Sequence, residues 1–448
     1  MQAEDAAPRA ATTAPAGVRT YYILLLAQAV SLLGSQISGL AVSIAVFRQT
    51  GHATPIALVA FFSLAPRMFL GGFAGAVADR FDRRRIMLLA NVGYVVSSGL
   101  LLASFASGAF QLWHLYVLVL ASALCAAIEA PAFQASVAVL VPDSRRDRAN
   151  AMAMIGGPAA GVLAPTIAGL LYAVIGVVGA ISLDLASFVI AILVLVVVRI
   201  PMPAQTAEGL ATRAPIWRQA FDGFRYLIDR PALLGLFGCF SVLGFLGPGV
   251  LVLNVPYILD RTGNVAVLGV VMGALNFGAL AGAVTMAAWG GTRPRIHTLM
   301  LGAATVGAFL ALAGVSRGPL AIGASLFMLM FAIPFIEAAA MSILQAKTPA
   351  DLQGRVFASV SQITALLRPA AYLVVAPLAD NVFEPARRTP LWRLVAWLVG
   401  AGQGAGIGLM FVIGGTLALL LSLAFYGVPA IRRVETTLPD HAAAAETA

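Results

Sequence analysis

The chain has 448 residues, of which 60% are hydrophobic and 10% charged, and it carries a formal net charge of +9. A soluble domain holds roughly 25% charged residues, so this composition excludes a globular protein with a wetted surface. The arginines sit in short clusters between long apolar runs, which excludes the single basic patch that nucleic acid requires, and lipid must be the solvent for most side chains.

Residues 1–20 are Ala-rich, contain Glu4 and Asp5, and lack the basic start of a cleaved signal; they predict a disordered tail. Six apolar segments follow, each long enough to cross about 30 Å of hydrocarbon: Tyr21 to Phe47, Pro55 to Val77, Ile86 to Ala106, Trp113 to Val141, Ala149 to Ile175 and Val178 to Val198. They predict a first bundle over 21–198. The polar connection 199–230 places Trp217, Phe221, Phe224 and Ile228 on one helical stripe, the pattern of a helix lying on a membrane surface.

Six more spans predict a second bundle over 231–428: Ala232 to Leu259, Val265 to Trp289, Thr298 to Val315, Leu320 to Ala346, Val356 to Ala379 and Gly404 to Gly427. Between the last two, Asn381 to Gln403 pairs arginines with Leu391, Trp392, Trp397 and Leu398 and predicts an interfacial or re-entrant lid. A tail, 429–448, ends the chain. Cys125 and Cys239 both fall inside apolar runs, so neither a disulfide framework nor a zinc site is expected.

The fold class is therefore all-α integral membrane, with twelve transmembrane helices in two six-helix halves. The halves repeat at nearly constant offset. Ile86 recurs as Ile296, the triplet Ile128, Glu129, Ala130 as Ile336, Glu337, Ala338, and Pro158, Ala159, Ala160 as Pro369, Ala370, Ala371. With the N-terminus inside, the inner connections hold 20 basic residues and the outer ones 6, so both termini are expected in the cytoplasm. Charges within spans are costly and usually functional, which singles out Arg67, Glu129, Asp184, Glu337 and Arg368.

Between the second and third spans lies GAVADRFDRRR, with Gly75, Asp79, Arg80, Arg83 and Arg84 at the spacing of the loop motif of the major facilitator superfamily. Asp82 stands where that motif usually has a second glycine, and the matching loop of the second half, WGGTRPR, has Trp289 in the acidic position. The APTIAG run (Ala164 to Gly169), the Glu129-Ala130-Pro131 turn, Ala149-Asn150-Ala151 after Pro142, and Leu183-Asp184 together make the chain resemble the bacterial drug and siderophore exporter branch. The fourth-span arginine of many drug antiporters is absent. The APTIAG run is equally read as a small-residue helix built for close packing.

The resemblance implies a secondary transporter in the bacterial inner membrane, acting as a monomer, that exports a small amphiphilic compound in exchange for protons. It implies that Gly75, Asp79, Arg80, Arg83 and Arg84 latch the cytoplasmic side. It further implies that Gln28, Ser35, Gln36 and Asn254 line the pathway with Glu129 and Glu337, and that Glu129, Glu337, Asp184, Arg67 and Arg368 couple substrate to protons. Its expected partners are the small-molecule substrate, protons and the lipid bilayer. No phosphate-binding GxxxxGK[ST] loop is present, so no ATP or other cofactor is expected. Proton-coupled import uses the same carboxylates. A membrane-embedded enzyme would need a catalytic motif, yet His52, His114, His297 and His441 are scattered. A transport-inactive sensor or scaffold would have no reason to keep paired intramembrane carboxylates.

The arginine asymmetry makes a direct prediction about topology. A single cysteine replacing Thr389 in a Cys-free chain is labelled by an impermeant reagent in intact cells, and one replacing Ala207 is not. The opposite pattern inverts the orientation.

Overall fold

The structure is a computed structural model, and it describes residues 14–198, 251–348 and 353–437 together with positions 225, 228, 234, 235, 237, 238, 241, 242 and 245. In hydrocarbon each backbone amide must find its partner within its own segment, so long apolar runs fold as helices. Helices α1 (Ala14–Thr50), α2 (Thr54–Arg80), α3 (Arg83–Ala106) and α4 (Leu112–Leu140) lead into a helical run, Asp143–Val197. Gly176 breaks that run with a φ of 64°, a conformation no helix holds, and the limbs 143–175 and 177–197 are α5 and α6.

Helix α7 is described over Asn254–Thr262; α8 (Val265–Trp289), α9 (Arg295–Val315), α10 (Pro319–Lys347), α11 (Gln353–Leu378) and α12 (Ala405–Gly427) complete the second half. The architecture is that of a multi-pass membrane protein with twelve spans in two halves. Trp217, Phe221 and Phe224 of the connecting segment lie outside the described residues, and Ile228 is helical and exposed.

One face of the bundle carries both described ends of the chain and is called the terminal face; the other is the distal face. At the distal face a single apolar core crosses from one half to the other, joining Val42, Ile44, Phe47, Ile56, Leu115 and Ile181 to Leu253, Tyr257, Leu268, Val375 and Phe411. Helices α5 and α8 meet there with almost no side chain between them. A methyl added to Gly169 would stand 3.0 Å from Cα of Gly269, and one on Gly269 would stand 2.8 Å from the Pro165 carbonyl. The APTIAG segment thus forms a tight crossing between halves.

Towards the terminal face the described core divides. One cluster, with Tyr21, Ile86, Leu140 and Leu195, belongs to the first half, and another, with Ile296, Ile343, Val356 and Val434, belongs to the second. Among the described residues no apolar cluster joins the halves on this side. Among the described residues, the apolar core that the halves share lies at the distal face.

The repeat also diverges at its helix starts. Asp82, the departure from the loop motif, is the N-cap of α3: its carboxylate accepts from the amides of Arg84 (2.8 Å) and Arg85 (3.3 Å). In the second half Pro294 precedes α9 and supplies no side-chain cap, and the carboxylate of Glu435, from the end of the chain, accepts from the Ile296 amide at 2.9 Å. Buried Lys347 donates to the Glu435 carbonyl, and Ile431 and Val434 pack beneath. The segment 429–437 is docked onto the second half.

Distally, α11 runs into a π-helical turn, Ala379–Phe383, and short helices Glu384–Ala386 and Arg393–Val399 flank a 3-10 turn, Pro390–Trp392. Trp392 is buried and donates to the Gly400 carbonyl at 2.9 Å. Arg261 and Arg317 donate to the carbonyls of Val399 (2.7 Å) and Trp397 (2.9 Å). The segment is pinned to the second half from below, while Leu391, Leu394 and Trp397 turn outward on one stripe.

Asp260, just beyond the seventh span, lies under this segment. Burial pushes its carboxyl up to about 7, Glu384 and Asp380 add to the rise, and Arg387 and Arg261 oppose it. The folded chain therefore holds this proton up to about pH 7, whereas an unfolded chain releases it near 3.8. Stability from this group is present at low pH and is lost as pH rises towards 7. The thermal midpoint of the purified protein should fall between about pH 4 and pH 7, and Asp260→Asn should flatten that fall.

Candidate functional site

A polar stripe runs along α1 at helical spacing, Gln28, Ser31, Ser35 and Ser38, and another runs along α3, Asn91, Tyr94 and Ser98. Both turn inward in the first half. With Ser63 of α2, Ser122 and Gln134 of α4, and apolar residues between them, all but Asn91 line a cavity of about 580 Å³, a size suited to a small organic molecule. Val42 and Leu115 close its distal end and belong to the core shared by the halves.

Two carboxylates occupy the cavity wall. Glu129 of α4 is 7% exposed, and its Oε1 accepts from Gln28 Nε2 and Asn91 Nδ2, both at 2.9 Å, while Oε2 accepts from Tyr94 Oη at 2.8 Å. Asn91 is held in turn by the Met87 carbonyl at 2.9 Å. Asp184 of α6 is 6% exposed and accepts from Ser35 Oγ at 2.9 Å and from Ser98 Oγ at 3.4 Å. Gly34 brings α1 close enough for this contact, because a Cβ there would stand 2.9 Å from Ser187 Oγ and 3.3 Å from Asp184 Cα.

The two groups form one unit. Gln28 and Ser35 lie seven residues apart on α1, about 10 Å along its axis, and Tyr94 stacks on Phe188 of α6 with ring centroids 4.9 Å apart. The carboxylates are thus tied to the same pair of helices, α1 and α3, at two levels. Gln28 and Ser35 are among the pathway residues expected from sequence. The partners on α3 were not, although the spacing of Asn91, Tyr94 and Ser98 in an otherwise apolar span was the available signal.

Other expected site residues lie elsewhere. Gln36 is exposed on α1 and does not line this cavity. Asn254 is buried at the start of α7 in the distal region, and its Oδ1 has no hydrogen-bond partner among the described residues. Glu337 is exposed on α10 and makes no hydrogen bond or ion pair among the described residues; Arg368 is exposed on α11, close enough to Tyr372 to act on it electrostatically. The repeat-related glutamates therefore sit in unlike surroundings. The side chains of Arg67, Gly75, Asp79 and Arg80 lie outside the described residues. Arg84 donates to the carbonyls of Leu195 (2.7 Å) and Val196 (2.5 Å), fastening the start of α3 to the end of α6, and Arg83 is half-buried beside it.

Residues 24–372 match the family model of the Major Facilitator Superfamily. The chain is 20% identical over 421 residues to macrolide efflux protein A of Streptococcus pyogenes, covering 93% of this chain and 97% of that protein. It is 28% identical over 343 residues to the enterobactin exporter of Shigella flexneri, covering 74% and 78%. Among solved structures, a bacterial homologue of the human lysosomal transporter Spinster, in an inward-facing and unoccupied conformation, superposes with a TM-score of 0.69 at 14% identity over 95% of this chain and 99% of that one. The nucleoside transporter NupG follows at 0.66, with 11% identity over 91% and 98%. At these identities the structural likeness is one of fold.

The donors around Glu129 make a stability prediction. Asn91→Ala removes one donor from a buried carboxylate and should cost about 1–3 kcal/mol. In a Glu129→Leu background the same change should cost much less, a coupling read by a double-mutant cycle on unfolding in detergent.

Proposed function

The chain belongs to the Major Facilitator Superfamily, and on that premise we propose that it exports a small amphiphilic organic compound across a bacterial inner membrane in exchange for protons, by alternating access. The observation that carries this reading is Glu129: a buried carboxylate on the wall of a ligand-sized cavity, held by donors from two different helices. The names of the relatives support the direction of transport, since two of them are called an efflux protein and an exporter.

The ionised form of Glu129 accepts all three bonds, whereas the protonated form must donate from one oxygen and so gives up a donor from α1 or α3. Gain or loss of the proton therefore changes how those two helices hold α4. Asp184 does the same for α1, α3 and α6 one level away. A substrate entering the cavity competes for the same hydroxyl and amide donors, so proton and substrate influence each other through shared partners.

On this reading, with both termini in the cytoplasm, the apolar core shared by the halves seals the outer face while the exporter loads from the cell interior. The loop motif with Gly75, Asp79, Arg80, Arg83 and Arg84 serves as the cytoplasmic latch when the molecule turns over. Arg67, Glu337 and Arg368 take part in the same coupling, the latter two from the second half, because charges kept within spans are expensive to hold without a use.

Reconstituted vesicles with an imposed proton gradient test the assignment. Glu129→Gln should abolish gradient-driven accumulation of a fluorescent amphiphile and leave its binding within about threefold of the parent. Accumulation with unchanged pH dependence in Glu129→Gln would move the coupling to Asp184, for which Asp184→Asn is the corresponding variant.

A further inference from the structure

The first turn of any helix presents amides with no partner in the helix, and a side-chain acceptor at the N-cap normally satisfies them. Helix α3 follows this rule with its own Asp82. Helix α2 does not, because the residue before Thr54 is Ala53, which has no acceptor in its side chain. The acceptor comes instead from the other half of the molecule. Asp380, in the π-helical turn after α11, has a side chain only 8% exposed and accepts from the amides of Ala53 (2.8 Å) and Thr54 (2.7 Å) and from Thr54 Oγ1 (2.5 Å). His52 Nδ1 stands 3.9 Å from the same carboxylate.

The neighbouring acid is arranged differently. Glu384 accepts from the Ile407 amide at 3.0 Å and pairs with Arg387 at 2.6 Å, so its bonds stay within the second half. Asp380 alone, of the acidic residues in this segment, spans the halves, and it does so where their shared apolar core ends. A π-helical turn is wider than an α-helical one and re-aims the side chains it carries, which is what lets a residue continuing α11 reach the start of α2.

We propose that Asp380 is a distal latch: it caps α2 from across the interface, so the distal face cannot open until α2 loses its cap. The bonds are charge-assisted and nearly dry, and an opened face would have to exchange them for water. Opening at this face is therefore a cooperative step, with the capping bonds and the apolar contacts between the halves given up together. The inference goes beyond the export reading and needs neither the substrate nor the coupling ion to be known.

The test uses the full-length chain in lipid nanodiscs, with Cys125 and Cys239 replaced by alanine and spin labels at Ser107 and Thr389. These are exposed distal positions, one on each half. Pulsed dipolar spectroscopy then reads the distance across the distal face. The parent should show one short-distance population, and Asp380→Ala should raise the ratio of long to short by about tenfold. Thr54→Val, which keeps the carboxylate and removes a single donor, should give a smaller rise in the same direction and serves if Asp380→Ala fails to fold. Glu384→Gln should leave the distances unchanged. Unaltered distances in both Asp380→Ala and Thr54→Val would overturn the proposal, as would a Glu384→Gln variant that opens as far as Asp380→Ala.

Discussion

A carboxylate placed within a bilayer must bring its own solvent. Water would supply several donors to each oxygen, and hydrocarbon supplies none, so the protein has to build them from side chains on neighbouring helices. In the first half that requirement organises four of the six helices: α1 and α3 furnish the donors, while α4 and α6 carry the acids. The cavity is the space left between polar side chains committed to these two groups. Packing and polar bonding share the same residues there.

The two halves descend from one pattern and use it unequally. Glu129 is enclosed by Gln28, Asn91 and Tyr94, whereas its counterpart Glu337 is exposed. Asp82 caps α3 from the adjoining loop, whereas α9 receives its carboxylate from Glu435 at the far end of the chain. A repeat fixes the backbone scaffold, and each half then settles its buried polar groups by local means. The first half has concentrated acid chemistry in its interior. The second half places further acids at its two ends, Glu435 in the docked segment 429–437 and Asp380 and Glu384 in the distal segment after α11.

Much of this was legible in the residues. Twenty or more apolar positions in a row admit few structures in lipid, so the spans could be read directly, including the division between the fifth and sixth that falls at Gly176. Glu129 and Asp184 were legible because a charge in a span is conspicuous. Their partners were not, since a serine, asparagine or tyrosine in a transmembrane helix costs little alone and most often bonds a neighbouring helix or its own backbone. Helix rotation was also hidden: Asn254 was expected beside the pathway and lies in the distal region, because an apolar helix with small residues on several sides gives no periodicity by which to orient it. The contact between Asp380 and Thr54 joins residues 326 positions apart, and no local spacing announces such a pair.

The apolar core that runs uninterrupted across the distal face has a thermal meaning as well as a structural one. On the alternating-access reading, opening of that face moves side chains such as Val42, Leu115 and Leu253 from dry contact into water, and hydration of apolar surface raises heat capacity. On the same reading the terminal face gains contacts in that movement, and among the described residues its apolar clusters each lie within one half. The two states then differ in heat capacity, and the enthalpy separating them drifts with temperature. An organism that warms or cools shifts the resting balance of such a molecule without altering one residue, and its rate of turnover will trace a curve, not a line, against reciprocal temperature.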